Sequence, residues 1–169
     1  PNTLHMDLET FVLAAELAAR AEAEALHRQL EAVLHALPVG VLLLNADLVI
    51  EYINPCFYKV WGEIGGGTSL VGMTYRDFMQ LNYDSGLYDY GDKSFEEVYG
   101  ERVHRLLNTE GFAPREVRSK SGKVTVISKT RLEGGKILST YADVTDVRLR
   151  DAEISKARAE LERVGEYMQ

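Results

Sequence analysis

Cysteine is nearly missing: Cys56 stands alone in 169 residues. One thiol forms no internal disulfide and completes no cysteine-based zinc site. Long apolar runs are missing too. The longest, Val39 to Leu44, falls far short of the roughly 20 residues a membrane span needs. With no secretory segment either, the chain reads as cytoplasmic, without direct membrane contact. Positive charge is in short supply: 19 Lys and Arg stand against 26 Asp and Glu, a net charge of -7. No Lys/Arg cluster forms a stripe or tail, which argues against nucleic acid or an anionic membrane as the main partner. Apolar residues make up 46% of the chain, enough for a folded core. The opening PNTLHM, residues 1–6, carries no initiating Met and reads as a vector remnant or linker.

Glycine and proline are absent from Asp7 to Leu37, where Ala, Leu, Glu and Arg dominate. That is helix composition. Leu26, Leu30, Val33 and Leu37 recur at steps of four, three and four, the seam of a coiled coil. Pro38 ends this first zone, 7–37. The second zone, 38–146, is mixed. VGVLLLN and LVIEYIN read as two strands of a hairpin joined at Ala46-Asp47. PREVRSK, KVTVISKTRL and KILSTYADV read as three more, joined at Ser121-Gly122 and Gly134-Gly135. Between the groups lie three short helices. The first has Asn54 as cap, Pro55 at its first position and Gly62 as stop. The second is TYRDFMQLNY. The third opens on a Ser94/Glu97 capping box and stops at Gly111. The third zone, 147–169, is polar helix. Its apolar residues Val147, Ile154, Ala157, Leu161, Val164 and Met168 alternate by three and four, interrupted only by Arg150.

The last strand runs into this helix with only Asp143, Val144, Thr145 and Asp146 between them. Two strands, short helices, then three strands, with helices leading in and out, resemble the PAS sensory domain. LPVGVLLLNADLVIEYINPCFYKVWG looks like the family's opening. PREVRSKSGKVTVISKTRLEGGKILSTYADVT looks like its closing strands, and Asp143 to Thr145 matches its Asp-x-Thr signature. The resemblance implies an α+β fold: a five-stranded antiparallel sheet, order 2-1-5-4-3, with helices on one face and long helices at both ends. It is to bacterial PAS domains that precede histidine kinase or cyclic-dinucleotide output domains. In these the flanking helices pair in a homodimer, and the exit helix continues into a covalently linked effector.

Asp143 and Thr145 are expected to fix the angle of the outgoing helix through local hydrogen bonds. Leu26, Leu30, Val33, Leu37, Ile154, Leu161 and Val164 are the expected dimer seam. The family binds ligands between the sheet and the helix that begins at Ser94. Tyr52, Phe57, Trp61, Phe78, Tyr99, Val103, Leu107, Ile127 and Tyr141 are candidates to line that pocket, and each serves equally as plain core. Haem-binding members often use a His on that helix, which draws attention to His104. Phe95, Tyr99, Val103 and Leu106 form the helix's apolar face, and His104 lies roughly 120° from its centre. It is expected to face solvent, so haem is not favoured. Flavin has no positive sign: the light-sensing motif is missing, and Cys56, straight after a helix cap, reads as core. His35 lacks the acidic residue of a phosphoacceptor box. Asp84, Asp89 and Asp92 lack calcium-loop spacing, and EIGGGTS lacks the Gly-Lys-Ser/Thr of a phosphate cradle.

No catalytic constellation appears. The expected function is a sensor or relay that passes a ligand- or partner-induced change to an output domain, a histidine kinase first. The alternatives are a ligand-free dimerisation or protein-interaction module, or the sensor of a diguanylate cyclase.

Overall fold

The computed structural model describes residues 3–62, 64, 69–109 and 111–169, the side chains of 3–6 excepted. Most of EIGGGTS therefore lies outside the described residues, as do Pro1 and Asn2. The chain divides into two units, Pro1–Leu37 and Pro38–Gln169. The first is a single helix, α1 (Thr3–Ala36), about 50 Å long at ~1.5 Å per residue. It begins at Thr3, before residue 7. The Leu37 N–H still donates to the Val33 carbonyl at 3.1 Å. Pro38, with no N–H to give, stops the ladder there.

The second unit runs β1 (Gly40–Leu44), β2 (Ile50–Ile53), α2 (Pro55–Val60), α3 (Tyr75–Asp84), α4 (Phe95–Asn108), β3 (Arg115–Arg118), β4 (Val124–Arg131), β5 (Ile137–Asp143) and α5 (Thr145–Tyr167). Its strands form one antiparallel sheet in the order β2-β1-β5-β4-β3, the order that the resemblance implies. Side chains alternate across a strand. Leu42 and Leu44 of β1, Ile127 of β4, and Ile137 and Tyr141 of β5 therefore share the face that packs against Phe57, Phe78, Val98 and Leu106 of the helices.

Asn54 locks the opening half of this unit. Its side chain is fully buried. Its Oδ1 accepts from Val41 N at 2.7 Å and from Phe57 N at 3.1 Å, while its Nδ2 donates to the Val39 carbonyl at 2.9 Å. One amide thus caps α2 and ties it to the start of β1, as the cap reading of Asn54 required. Gly40 lets the two elements meet: a Cβ there would lie 2.8 Å from Phe57 Cα.

Two ends differ from the sequence reading. α4 stops at Asn108, before Gly111, because Thr109 is already extended (φ -106, ψ 125). The Arg131 guanidinium donates to the carbonyls of Leu106 and Thr109, capping that end from the sheet. The Gly134-Gly135 joint is a short 3-10 turn, Glu133–Gly135, rather than a two-residue hairpin. Both glycines hold positive φ, 74° and 76°, which other residues adopt only with strain.

Replacing Asn54 with Ala strands the buried Val41 N–H, removes the side-chain cap of α2 and should cost about 2–3 kcal/mol. Gly40→Ala should cost a comparable amount through the clash with α2. Chemical denaturation measures both, and a loss below 1 kcal/mol for either would contradict this packing.

Candidate functional site

Much of the expected pocket lining is packed on itself. Phe57, Trp61, Phe78, Ile127 and Tyr141 are buried in one cluster, with Tyr99 and Val103 half-buried beside it. The ring centroids of Phe57 lie 5.7 Å from Trp61, 6.1 Å from Phe78 and 5.0 Å from Tyr141. Rings at such separations are in contact and leave no room between them. Tyr52 sits outside this cluster on an edge strand, paired across from half-buried Leu43. Leu107 is 58% exposed and lines no interior. The inward stripe of α4 runs instead through Val98 and Leu106, both buried, with half-buried Arg102 one turn from each. His104 is exposed, its Nδ1 lying 3.2 Å from Asn108 Nδ2. Cys56 is half-buried against the core.

Open space lies further along α4. A cleft of about 50 Å³ is bounded by Arg102, Arg105, Leu106, Phe112, Arg115, Ile127 and Lys129, among others. Strand register puts the two sheet cations there. Arg115 pairs across from Ile127, and Lys129 lies two residues further along the same strand, so all three share the inner face. The Lys129 Nζ lies 5.8 Å from the ring centroid of Tyr75 on α3. Burial pushes the Lys129 ammonium down to about 7, and Arg102, Arg115 and Arg105 add to the effect. Burial likewise lowers Arg115, with Arg102 adding to it. Burial raises the Tyr75 and Tyr141 hydroxyls.

A second constellation sits at the exit of the sheet. The Asp143 carboxylate accepts from Thr145 N at 3.0 Å and from Thr145 Oγ1 at 2.6 Å. Thr145 Oγ1 in turn accepts from Val124 N at 3.0 Å, and Val144 N donates to the Val124 carbonyl at 2.9 Å. Arg148 Nε, one turn into α5, donates to Glu116 on β3 at 3.1 Å. The first turn of the outgoing helix is thus pinned to two strands. Beyond it, no described residue of α5 is buried.

Residues 28–99 match the family model described as PAS domain. The closing strands and the Asp143–Thr145 clasp lie beyond that span and complete the same sheet order. That match supports a PAS sensory domain within the chain. A PAS domain is sensory and non-catalytic. No curated protein matches the chain. Among solved structures it is similar to the PAS domain of an HTR-like protein from Haloarcula marismortui, at 18% identity and a TM-score of 0.46, covering 75% of this chain and 98% of that one. It is similar to the sensor region of a sensor histidine kinase, at 22% and 0.47, covering 64% and 40%. A third is a domain of a sensory box sensor histidine kinase/response regulator from Geobacter sulfurreducens, at 20% and 0.41, covering 69% and 93%. The support comes from the matched span, not from these likenesses.

The cations of the cleft were missed in sequence. Arg102 stands four residues from both Val98 and Leu106, and Lys129 stands two from Ile127. A charge at an apolar periodicity was the available signal.

Partial burial pushes the Asp143 carboxyl up, but its two hydrogen bonds from Thr145 and the charge of Lys123 outweigh this and hold it below its ordinary 3.8. A carboxyl lowered by folding stabilises above its ordinary value and ceases to do so as pH falls through the folded value. The Thr145 amide proton resonance should therefore titrate with a midpoint below 3.8, and Asp143→Asn should abolish that titration. A midpoint at or above the ordinary value would contradict the clasp.

Proposed function

We propose that this PAS domain is a cytoplasmic sensor or relay that dimerises and passes a change in its sheet along α5 to a covalently linked output domain, a histidine kinase first. The observation that carries the reading is the clasp of Asp143, Thr145 and Val124. It joins the first turn of an otherwise exposed 23-residue helix to the interior strand β4. A helix attached in this way cannot tilt without disturbing β4, and the reverse holds too.

Dimerisation is supported by apolar side chains left in solvent at heptad spacing. Leu26, Leu30 and Val33 on α1 are exposed, as are Ile154, Leu161 and Val164 on α5; Leu37 is half-buried. Regular apolar stripes on charged helices suit a parallel coiled coil with a second copy of the chain. Among the described residues no helix is long and apolar enough to cross a membrane, which agrees with a cytoplasmic setting. The packed aromatic core favours a second reading: a dimerisation or interaction module that binds no ligand. A diguanylate cyclase is the other output that suits the same helix.

Sedimentation velocity should give a dimer at high micromolar concentration, and Leu30→Lys with Leu161→Lys should give a folded monomer. A wild-type monomer under those conditions removes the dimer. Thr145→Val should change the basal autophosphorylation of the parent chain several-fold while the domain stays folded. Unaltered autophosphorylation would remove the relay.

A further inference from the structure

The chain carries more acid than base, 26 groups against 19. Its surface cations are accordingly well supplied with partners: Arg76 with Glu96, Lys93 with Glu101, Lys136 with Glu51, and Arg148 with Glu116 and Asp151. The cleft reverses this. Arg102 and Arg105 from α4, Arg115 from β3 and Lys129 from β4 converge on it. Among the described residues, none of the four makes an ion pair. Carboxylates do stand at the rim, but they are engaged elsewhere. Glu101 accepts both its contacts from Lys93, at 2.9 Å each, Glu116 is shared between Arg148 and Arg118, and Asp89 accepts from Gly91 N at 2.8 Å.

Like charges drawn together in a half-buried cleft destabilise a fold unless an anion neutralises them. Guanidinium groups match the paired oxygens of carboxylate and phosphate, and an ammonium adds a point charge. We propose that the cleft between the C-terminal half of α4 and the inner face of β3 and β4 binds a small polyanion bearing carboxylate or phosphate oxygens, held by Arg102, Arg105, Arg115 and Lys129. The cleft's volume of about 50 Å³ suits one such oxyanion group or a few waters. Two adjoining depressions share Arg102, Arg115, Tyr90 and Asp89 and give the rest of the molecule room. This assignment rests on the sensor reading and names the chemistry of its signal.

The site also sets a pH dependence. Facing Lys129 are Tyr75 on α3, Arg102 and Arg105 on α4, Arg115 on β3, Tyr141 on β5 and Arg131 on its own strand. Of these, Arg102, Arg115 and Arg105 join burial in holding its ammonium near 7, and no described carboxylate acts against them. The unliganded fold thus sheds that proton above about 7, whereas an anion favours the charged form. Binding takes up a proton and weakens as pH rises.

Citrate and pyrophosphate, each tested at 10 mM against sodium chloride of equal ionic strength, separate the carboxylate and phosphate sources. At least one should raise Tm by about 5 °C or more at pH 7. Lys129→Met and Arg115→Gln should each cut the affinity about tenfold or more by calorimetry. Lys129→Met removes a buried charge, so it should fold at least as stably as wild type. Wild-type affinity for citrate, fully ionised throughout this range, should fall about tenfold between about pH 7 and pH 9, and Lys129→Met should flatten that profile. Shifts no larger than with chloride, or equal in wild type and both variants, would overturn the anion site. The relay would then stand or fall on Thr145→Val alone. Stabilisation by neutral apolar compounds only would overturn the anionic class and leave a sensor of another ligand. Anion binding with no effect of Thr145→Val on output would keep the site and remove the relay.

Discussion

The first residue of β4 has both its backbone groups committed to the start of α5. Val124 is 2% exposed, so its N–H must be paired within the protein. The partner is the Thr145 hydroxyl, and the Val124 carbonyl is taken by Val144 N. Leaving that donor unmet costs about 1–3 kcal/mol. The helix is therefore not hung on a tether after the last strand. It starts as an extension of the ladder, with Asp143 orienting the Thr145 side chain that makes the bond.

This constraint makes β4 the element on which the rest turns. It pairs with β5 along seven registered positions and with β3 along four. Its inner face gives Ile127 to the aromatic core and Lys129 to the cationic cleft. At its far end Arg131 holds the last turn of α4. Val124 and Lys129 are five residues apart, about 17 Å along a strand. The cleft and the start of α5 therefore share one backbone segment, as the proposed relay requires. The aromatic cluster around Phe57 and Trp61 packs against the sheet nearer β1 and β5. Under the proposed relay, this close-packed side is the one against which β3 and β4 would move.

The fold was legible because local and tertiary demands agree. Asn54 reads as a helix cap in sequence, and its burial under β1 adds a second role to the same amide. The Asp143 to Thr145 signature was legible because short polar side chains at a strand-to-helix join have few partners but the nearby backbone. The cleft was not. KVTVISKTRL does not alternate cleanly: Val126 and Ile127 are adjacent, both faces carry apolar and polar residues, and the pattern does not say which faces the core. Only pairing with Tyr141 and packing beneath α4 put Ile127, and with it Lys129, inside. The face of α4 was only partly legible. Of the stripe Phe95, Tyr99, Val103 and Leu106, Leu106 is buried as read, but Val98 is buried too, and Leu107, a candidate for the pocket lining, is in solvent. A charged residue, Arg102, occupies the inward position where the pattern asks for an apolar one. Such a mismatch between pattern and burial is what the proposed anion site would require.

The most direct test is a distance distribution between nitroxide labels on Ser128 of β4 and Glu160 of α5. Cys56 would be replaced by Ala and the labelled chain diluted with unlabelled protein, so that only distances within one chain are read. If β4 and α5 move as one body, pulsed electron paramagnetic resonance will give a single narrow distribution that broadens in Thr145→Val. A broad distribution in the wild-type chain, unchanged by that substitution, would contradict the coupling of sheet to helix.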